Sequence, residues 1–473
     1  MSHEMMLRSL RRPAQARGAR RVPRIAIFLI VSMALFMSAV DGTIVATGLP
    51  TVGHALHVRL NWTSWTITSY QLGLVVAMPL AGRLADRLGR KRVFLAAAAV
   101  FALSSLACGF SHSIAWLIAF RVIQALGGGA FVPAATGIVS DVYGERRSQA
   151  LGLFSSIFPL GALVGPILGG VIIAEWSWRG IFLVNVPIAA LFGLLGVRYL
   201  PRIEPRATGR LDLVGAALLG ATVLGIMLGI TALGDPGTRL FSLADLGPGL
   251  IGIGSGIAFF YRCAHHDDPV IPITLLRERS FAAMNGINFV WGACAIGFGS
   301  LVPVFAEDRF GMRPLAAGTL LTARALGEIG VAALASIFIR RTGYRVPMIV
   351  GFSLIAGGLA LIAIRPVGMS PYAWLALGAA LTGLGTGASA PAANNATLQL
   401  APDDIGALAG LRGASRQAGA IIAVALTTSL VSRSGAHLAT LGHAFFVLAA
   451  LLMLVTPLVG IVPNTDDELA SAL

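Results

Sequence analysis

Charge is scarce in this chain: Asp, Glu, Lys and Arg together make 12% of 473 residues, against roughly a quarter in an ordinary soluble domain. With 56% of residues hydrophobic, that shortage excludes a water-soluble globule. Lysine is almost missing, Lys91 being the sole example, so the net charge of +14 is carried by arginine. The arginines are spread through short gaps rather than clustered on a soluble domain, which excludes nucleic acid as a partner. There are three cysteines, Cys108, Cys263 and Cys294, without paired spacing, so neither a disulfide framework nor a zinc site is indicated. The alternating ten-residue segments of a membrane β-barrel are absent, as is any Ser/His/Asp constellation of an enzyme. The glycine runs Gly252-x-Gly254-x-Gly256 and Gly383-x-Gly385-x-Gly387 lie inside apolar stretches and follow no predicted strand, so no nucleotide loop is expected. His265-His266-Asp267-Asp268 lacks further ligands, and no metal or other cofactor is expected.

What the chain does have is apolar runs of about twenty residues, each able to cross a hydrocarbon core of roughly 30 Å. Fourteen are read, near 25–49, 62–81, 93–111, 115–139, 150–174, 180–198, 213–234, 247–261, 281–305, 315–339, 346–364, 372–398, 410–431 and 439–462. Helices are expected, because a helix in lipid satisfies its own backbone polar groups. The fold class is therefore an all-α integral membrane protein. Basic residues concentrate in the N-terminal tail and the even-numbered gaps, which predicts cytoplasmic termini, a cell inner (plasma) membrane location and contact with an anionic inner leaflet. The first run is too long for a signal-peptide core and contains Asp41, so it is read as a retained helix.

Between the second and third runs stands Gly82-Arg83-Leu84-Ala85-Asp86-Arg87-Leu88-Gly89-Arg90-Lys91-Arg92. A carboxylate set among arginines at a helix end is a charge-assisted latch whose partners can differ between two packings. This segment resembles the signature loop of the major facilitator superfamily. Further segments are similar to the fourteen-helix drug:proton antiporters of multidrug efflux type. They are Asp41-Gly42-Thr43-Ile44-Val45 through Leu49-Pro50, Trp65-x-x-Thr68-x-Tyr70-x-Leu72, Arg121-x-x-Gln124-x-x-Gly127, and Gly161-x-x-x-Gly165-Pro166-x-x-Gly169-Gly170 with Asn185-Val186-Pro187; Arg416-Gln417-x-Gly419 is a weaker match. Gly48 stands where the family usually has alanine.

The resemblance implies two six-helix bundles plus two inserted helices. The divisions are an Arg-rich tail 1–24, an N-terminal bundle 25–200, a linker 201–275 with the two extra helices, a C-terminal bundle 276–462 and a tail 463–473. It also implies a latch at Gly82, Asp86, Arg87, Gly89, Arg90 and Lys91, and an antiporter element at Gly161, Gly165, Pro166, Gly169 and Gly170. Because Arg340-Arg341-Thr342-Gly343-Tyr344-Arg345 lacks a matching aspartate, one latch of this type is expected.

Ionisable groups inside apolar runs are costly and normally face a cavity or a partner. Asp41 is the first proton-coupling candidate, read either as a coupling or cation-sensing carboxylate or as a helix-stabilising hydrogen-bond acceptor near the outer interface. Arg121, a fixed charge, either tunes a nearby carboxylate or snorkels to the interface. Arg324 and Glu328 share a helix face, leaving a neutralised pair or a Glu328 that binds a cation or a second proton. Arg412 and Arg416 are expected at lipid or loop contacts. Trp65, Tyr70, Phe154, Phe158, Asn288, Trp291, Arg324, Asn394 and Asn395 are offered as cavity groups.

The function these readings imply is proton-coupled export of small amphipathic or drug-like compounds by alternating access, by a monomer whose partners are substrate, protons and lipid. Uptake of a small nutrient by symport, and export of a dedicated metabolite, are the alternatives.

Overall fold

In the computed structural model the described residues are 23–58, 60–202, 212–234, 243–266, 269–271, 278–364, 368–400, 405–433, 437–462 and 464. The arginine-rich residues 1–22, Asp267 and Asp268 lie outside them. The helices are α1 Arg24–Ala55, α2 Leu60–Leu88, α3 Arg90–Gly109, α4 Ile114–Tyr143, α5 Arg147–Ser155, α6 Ile157–Glu175, α7 Gly180–Leu183 and α8 Asn185–Tyr199. There follow α9 Leu213–Gly234, α10 Leu243–His265, α11 Arg279–Phe310, α12 Pro314–Thr342, α13 Arg345–Ala363, α14 Pro371–Gln399, α15 Ile405–Arg433 and α16 His437–Val455.

Helix thus covers each of the expected apolar runs, with two interruptions. The run near 150–174 is broken at Ser156 into α5 and α6, and the run near 180–198 is broken at Val184 into α7 and α8. Among the described residues, seven helical segments are long and apolar enough to span a bilayer, or eight with the bent pair Arg279–Gly297 and Leu301–Glu307. One of the seven, Ile114–Glu175, has 62 residues, about twice what one crossing of roughly 30 Å needs at about 1.5 Å per residue. It is interrupted by the short 3-10 segment Gly144–Arg146.

The first bundle packs α2 and α3 on α4, α1 on α6, and α3 on α8; the second packs α12 and α13 on α14, α11 on α15, and α13 on α16. Four phenylalanines, Phe94, Phe101, Phe131 and Phe192, fill the first bundle with ring centroids 5.5–6.0 Å apart. Glycine sets the closest seams. A Cβ on Gly161 would lie 2.6 Å from the Phe36 carbonyl, and those on Gly165 and Gly169 would collide with Thr43 and Thr47, so one ridge of α6 lies directly on α1. Gly170 has no neighbour in that direction and Pro166 is exposed, so the expected element divides into a packed ridge and an outward face.

The two bundles meet through α2 and α4 against α15, and through α5 and α6 against α12, with α5 also touching α14. The α9–α10 hairpin lies across this seam, α9 touching both α2 and α15. Val223 and Met227 of α9 close over Val75, Ala414 and Ile421. At the base of the hairpin, Asp212 accepts from Arg262 Nε at 2.6 Å and from the Gly215 backbone N–H at 2.7 Å.

Candidate functional site

Asp41 is fully buried and three donors converge on its carboxylate. Arg121 Nη1 donates to Oδ2 at 2.7 Å, while Asn185 Nδ2 and Gln124 Nε2 donate to Oδ1 at 2.7 and 3.0 Å. The site therefore draws on α1, α4 and α8, helices whose shared residues are as far as 144 positions apart. Arg121 is fully buried as well and does not snorkel. It also donates to Gln124 Oε1 at 2.7 Å and to the Thr66 carbonyl at 3.1 Å. Its guanidinium lies 4.0 Å from the centre of the Tyr70 ring. Gln124 is fixed in turn by a 2.6 Å bond to Ser105 Oγ.

A buried pair of this kind gives little net stability, but removing one partner strands the other at a cost of about 3–5 kcal/mol. The arrangement therefore makes the carboxylate and the guanidinium one coupled unit, each the other's counter-charge. Tyr70, offered as a cavity group, belongs to this network and is buried.

The loop motif forms a second cluster. Gly89 has φ +91°, a left-handed backbone that lets α3 start directly after α2 ends. Arg90, the first residue of α3, is buried and reaches Asp86 at 3.6 Å, pairs with Asp141, and donates to the Gly137 carbonyl at 2.8 Å. Asp141 and Gly137 are one turn apart on α4, and sequence reading had not placed them here. Lys91 Nζ caps the end of α8 by donating to the carbonyls of Val197 and Leu200 at 2.8 and 2.7 Å. Asp86 and Arg87 are buried, as are Gly82 and Gly89.

At the same end of the molecule the bundles are tied to each other. Arg147 of α5 donates to Gln399 of α14, Asn394 Nδ2 donates to Ser155 Oγ at 2.6 Å, and Asn395 Nδ2 donates to the Ser148 carbonyl at 3.2 Å. Nearby, Gly410 of α15 sits against the backbone of Met78 and Pro79. Asn394 and Asn395, offered as cavity residues, are therefore bundle-to-bundle contacts. Arg147, Ser155 and Gln399 had no motif to mark them.

In the second bundle Arg324 and Glu328 form the expected pair, 3.4 Å apart and still partly accessible. Asn288 and Trp291 are buried beside Arg416, which donates from Nε to Asn288 Oδ1 at 2.9 Å and stacks 4.1 Å from the Trp291 ring. Arg412 is 7% exposed. The expectation that Arg412 and Arg416 are lipid or loop contacts is thus corrected: α15 turns both inward, where it meets α11 and the opposite bundle. Phe158 is exposed and Trp65 half-buried, whereas Phe154 is buried against Phe28. Arg345, in the second-half counterpart of the loop motif, donates instead to the Val462 carbonyl at 2.9 Å. Among the described residues no cluster of His, Cys, Asp and Glu has a metal-binding arrangement.

Comparison with known proteins agrees with this architecture. The family model described as Major Facilitator Superfamily matches residues 31–261 and 280–470. Multidrug resistance protein B homolog of Mycobacterium tuberculosis (strain ATCC 25618 / H37Rv) is 31% identical over 415 residues, 86% of this chain and 76% of that one. Multidrug resistance protein 3 of Bacillus subtilis (strain 168) is 29% identical over 365 residues, 76% and 70% of the respective chains. Among solved structures, the proton:xylose symporter XylE superposes with a TM-score of 0.68 at 14% identity, covering 95% of this chain and 98% of that one, a likeness of fold. A helical chain in two bundles, with a buried Asp41–Arg121 pair and the signature loop between its second and third helices, belongs to the Major Facilitator Superfamily of membrane transporters.

Proposed function

We propose that this transporter exports small amphipathic or drug-like compounds in exchange for protons, crossing the plasma membrane fourteen times with both termini cytoplasmic. The observation that carries the reading is the Asp41–Arg121 pair, a carboxylate enclosed in the bundle with donors from three sources. A proton arriving on Asp41 removes the charge that Arg121 answers. Arg121 retains the Tyr70 face, the Thr66 carbonyl and Gln124 as partners, so the protonated state has a ready alternative packing. Because Asp41 bonds α1 to α4 and α8, loosening it alters how those helices sit.

In this reading the Arg90–Asp86–Asp141 cluster steadies the arrangement in which the bundles touch at the loop-motif end. The glycine ridge of α6 lets α1 and α6 slide with little side-chain obstruction. Glu328 provides a second titratable group near the middle of the opposite bundle. Resemblance to multidrug resistance proteins supports the export direction.

The test is transport by the purified protein in proteoliposomes under an imposed pH gradient, screened with cationic, neutral and anionic compounds. Accumulation driven by the gradient and abolished by Asp41→Asn is the expected result. Full gradient-driven transport by that variant would overturn the role of Asp41.

A further inference from the structure

The interior of the second bundle holds a charge imbalance that the Asp41–Arg121 site does not account for. Arg324 and Arg416 flank the carboxylate of Glu328, and Arg412 lies beside Arg416. Glu328 lies within electrostatic reach of Arg324 and Arg416, and Arg416 of Arg412. Among the described residues no other carboxylate acts on Arg412 or Arg416.

Hydrogen bonding is unbalanced in the same direction. Nε and Nη1 of Arg412, Nη2 of Arg416 and Nδ2 of Asn285 are buried without a hydrogen-bond partner, and every one of them is a donor. Asn285 is held in place by Ser415 Oγ, which donates to its Oδ1 at 3.0 Å. Asn288 anchors Arg416 from one side while the Trp291 ring covers another. Buried cations and donors left unanswered by protein are expensive, and guanidinium groups are suited to carboxylate and phosphate oxygens, which accept two parallel N–H bonds.

From this arrangement we infer that Arg412 and Arg416 bind the anionic group of the transported compound, with Trp291 offering an aromatic face to its ring system. The substrate class is an organic anion, a carboxylate or phosphate ester joined to an apolar body. Glu328 restrains the site, lowering its affinity so that cargo is released. The proposal rests on the export reading and deepens it, because it names the chemical class of the exported cargo.

The test is equilibrium binding to the full-length purified protein with no gradient, by fluorescence anisotropy. It uses two probes that share a xanthene ring system: fluorescein, an anion, and tetramethylrhodamine methyl ester, a cation. Fluorescein should bind at least about tenfold more tightly. Arg412→Gln and Arg416→Gln should each weaken fluorescein about ten- to a hundredfold while leaving the rhodamine ester unchanged or tighter. Arg412→Lys, which keeps the charge, should recover part of the loss, and Glu328→Gln should tighten fluorescein.

Equal effects of the arginine variants on both probes, preference for the cation, or no binding of fluorescein would each overturn the assignment. Competition by inorganic phosphate alone, with no added affinity from the aromatic body, would reduce the site to an inorganic-anion site and overturn the organic-anion claim. Since no gradient is present, failure here is separate from failure of proton-coupled transport.

Discussion

At the residue scale, Asp41 and Arg121 control each other. Asp41→Asn leaves a buried guanidinium without its counter-charge, and Arg121→Gln leaves the converse; each should cost about 3–5 kcal/mol. The double variant should cost much less than the two added, because it strands no charge. Thermal unfolding of the four proteins in one detergent reads this directly, and additive losses would show that the contact is not a coupled pair. Arg121→Lys should also lose function, since the guanidinium meets Asp41 and Gln124 from Nη1 and the Thr66 carbonyl from Nε, and lysine has one nitrogen in place of those two. Asp41, Arg121 and Gln124 each stand out in the sequence, because charged and amide groups within apolar runs are conspicuous. Their convergence, and the part of Asn185, was not legible there, since nothing local links residues 144 positions apart.

At the element scale, the α6 glycine ridge makes a graded prediction. Gly161→Ala and Gly165→Ala should destabilise by about 1–3 kcal/mol through overpacking against α1. Gly170→Ala, with open space at its Cβ, should be neutral or mildly stabilising through helix propensity. Similar effects at all three positions would mean that packing is not what the glycines provide. The hairpin α9–α10 depends on Asp212. Burial pushes the Asp212 carboxyl upward, but the Arg262 bond and the Gly215 N–H outweigh it and hold the group below the ordinary carboxylate range.

A depressed carboxyl stabilises the fold above its unfolded value and loses that contribution as pH falls through the folded one. Asp212→Asn should therefore expose α9 and α10 to faster hydrogen exchange at neutral pH, by about 1 kcal/mol. The difference should shrink once pH drops below about 3.9. At this scale hydropathy located every described helix, but it missed the breaks at Ser156 and Val184, because broken and continuous helices share one apolar composition.

At the scale of the whole molecule, the bundles are joined at the end that bears the signature loop, through Arg147–Gln399, Ser155–Asn394 and Ser148–Asn395. The two-bundle fold could be inferred from the loop motif and the fourteen apolar runs. Which faces of the bundles touch could not, because Ser155 and Gln399 are ordinary polar residues until packing sets them opposite one another. If this contact opens during each cycle, a disulfide introduced through Ser155→Cys and Asn394→Cys should stop transport, and reduction should restore it. Cys108, Cys263 and Cys294 are buried and unpaired, and would be replaced in that background. Undiminished transport by the cross-linked protein would mean the cycle never separates these helices.

The central claim is that protons and cargo move in opposite directions through this protein. A pH-sensitive dye trapped inside proteoliposomes tests it when an organic anion such as fluorescein is added outside. Counter-movement predicts that the lumen turns alkaline as cargo enters, and that Asp41→Asn abolishes the response. Lumenal acidification in step with cargo entry would mark co-transport and contradict the account.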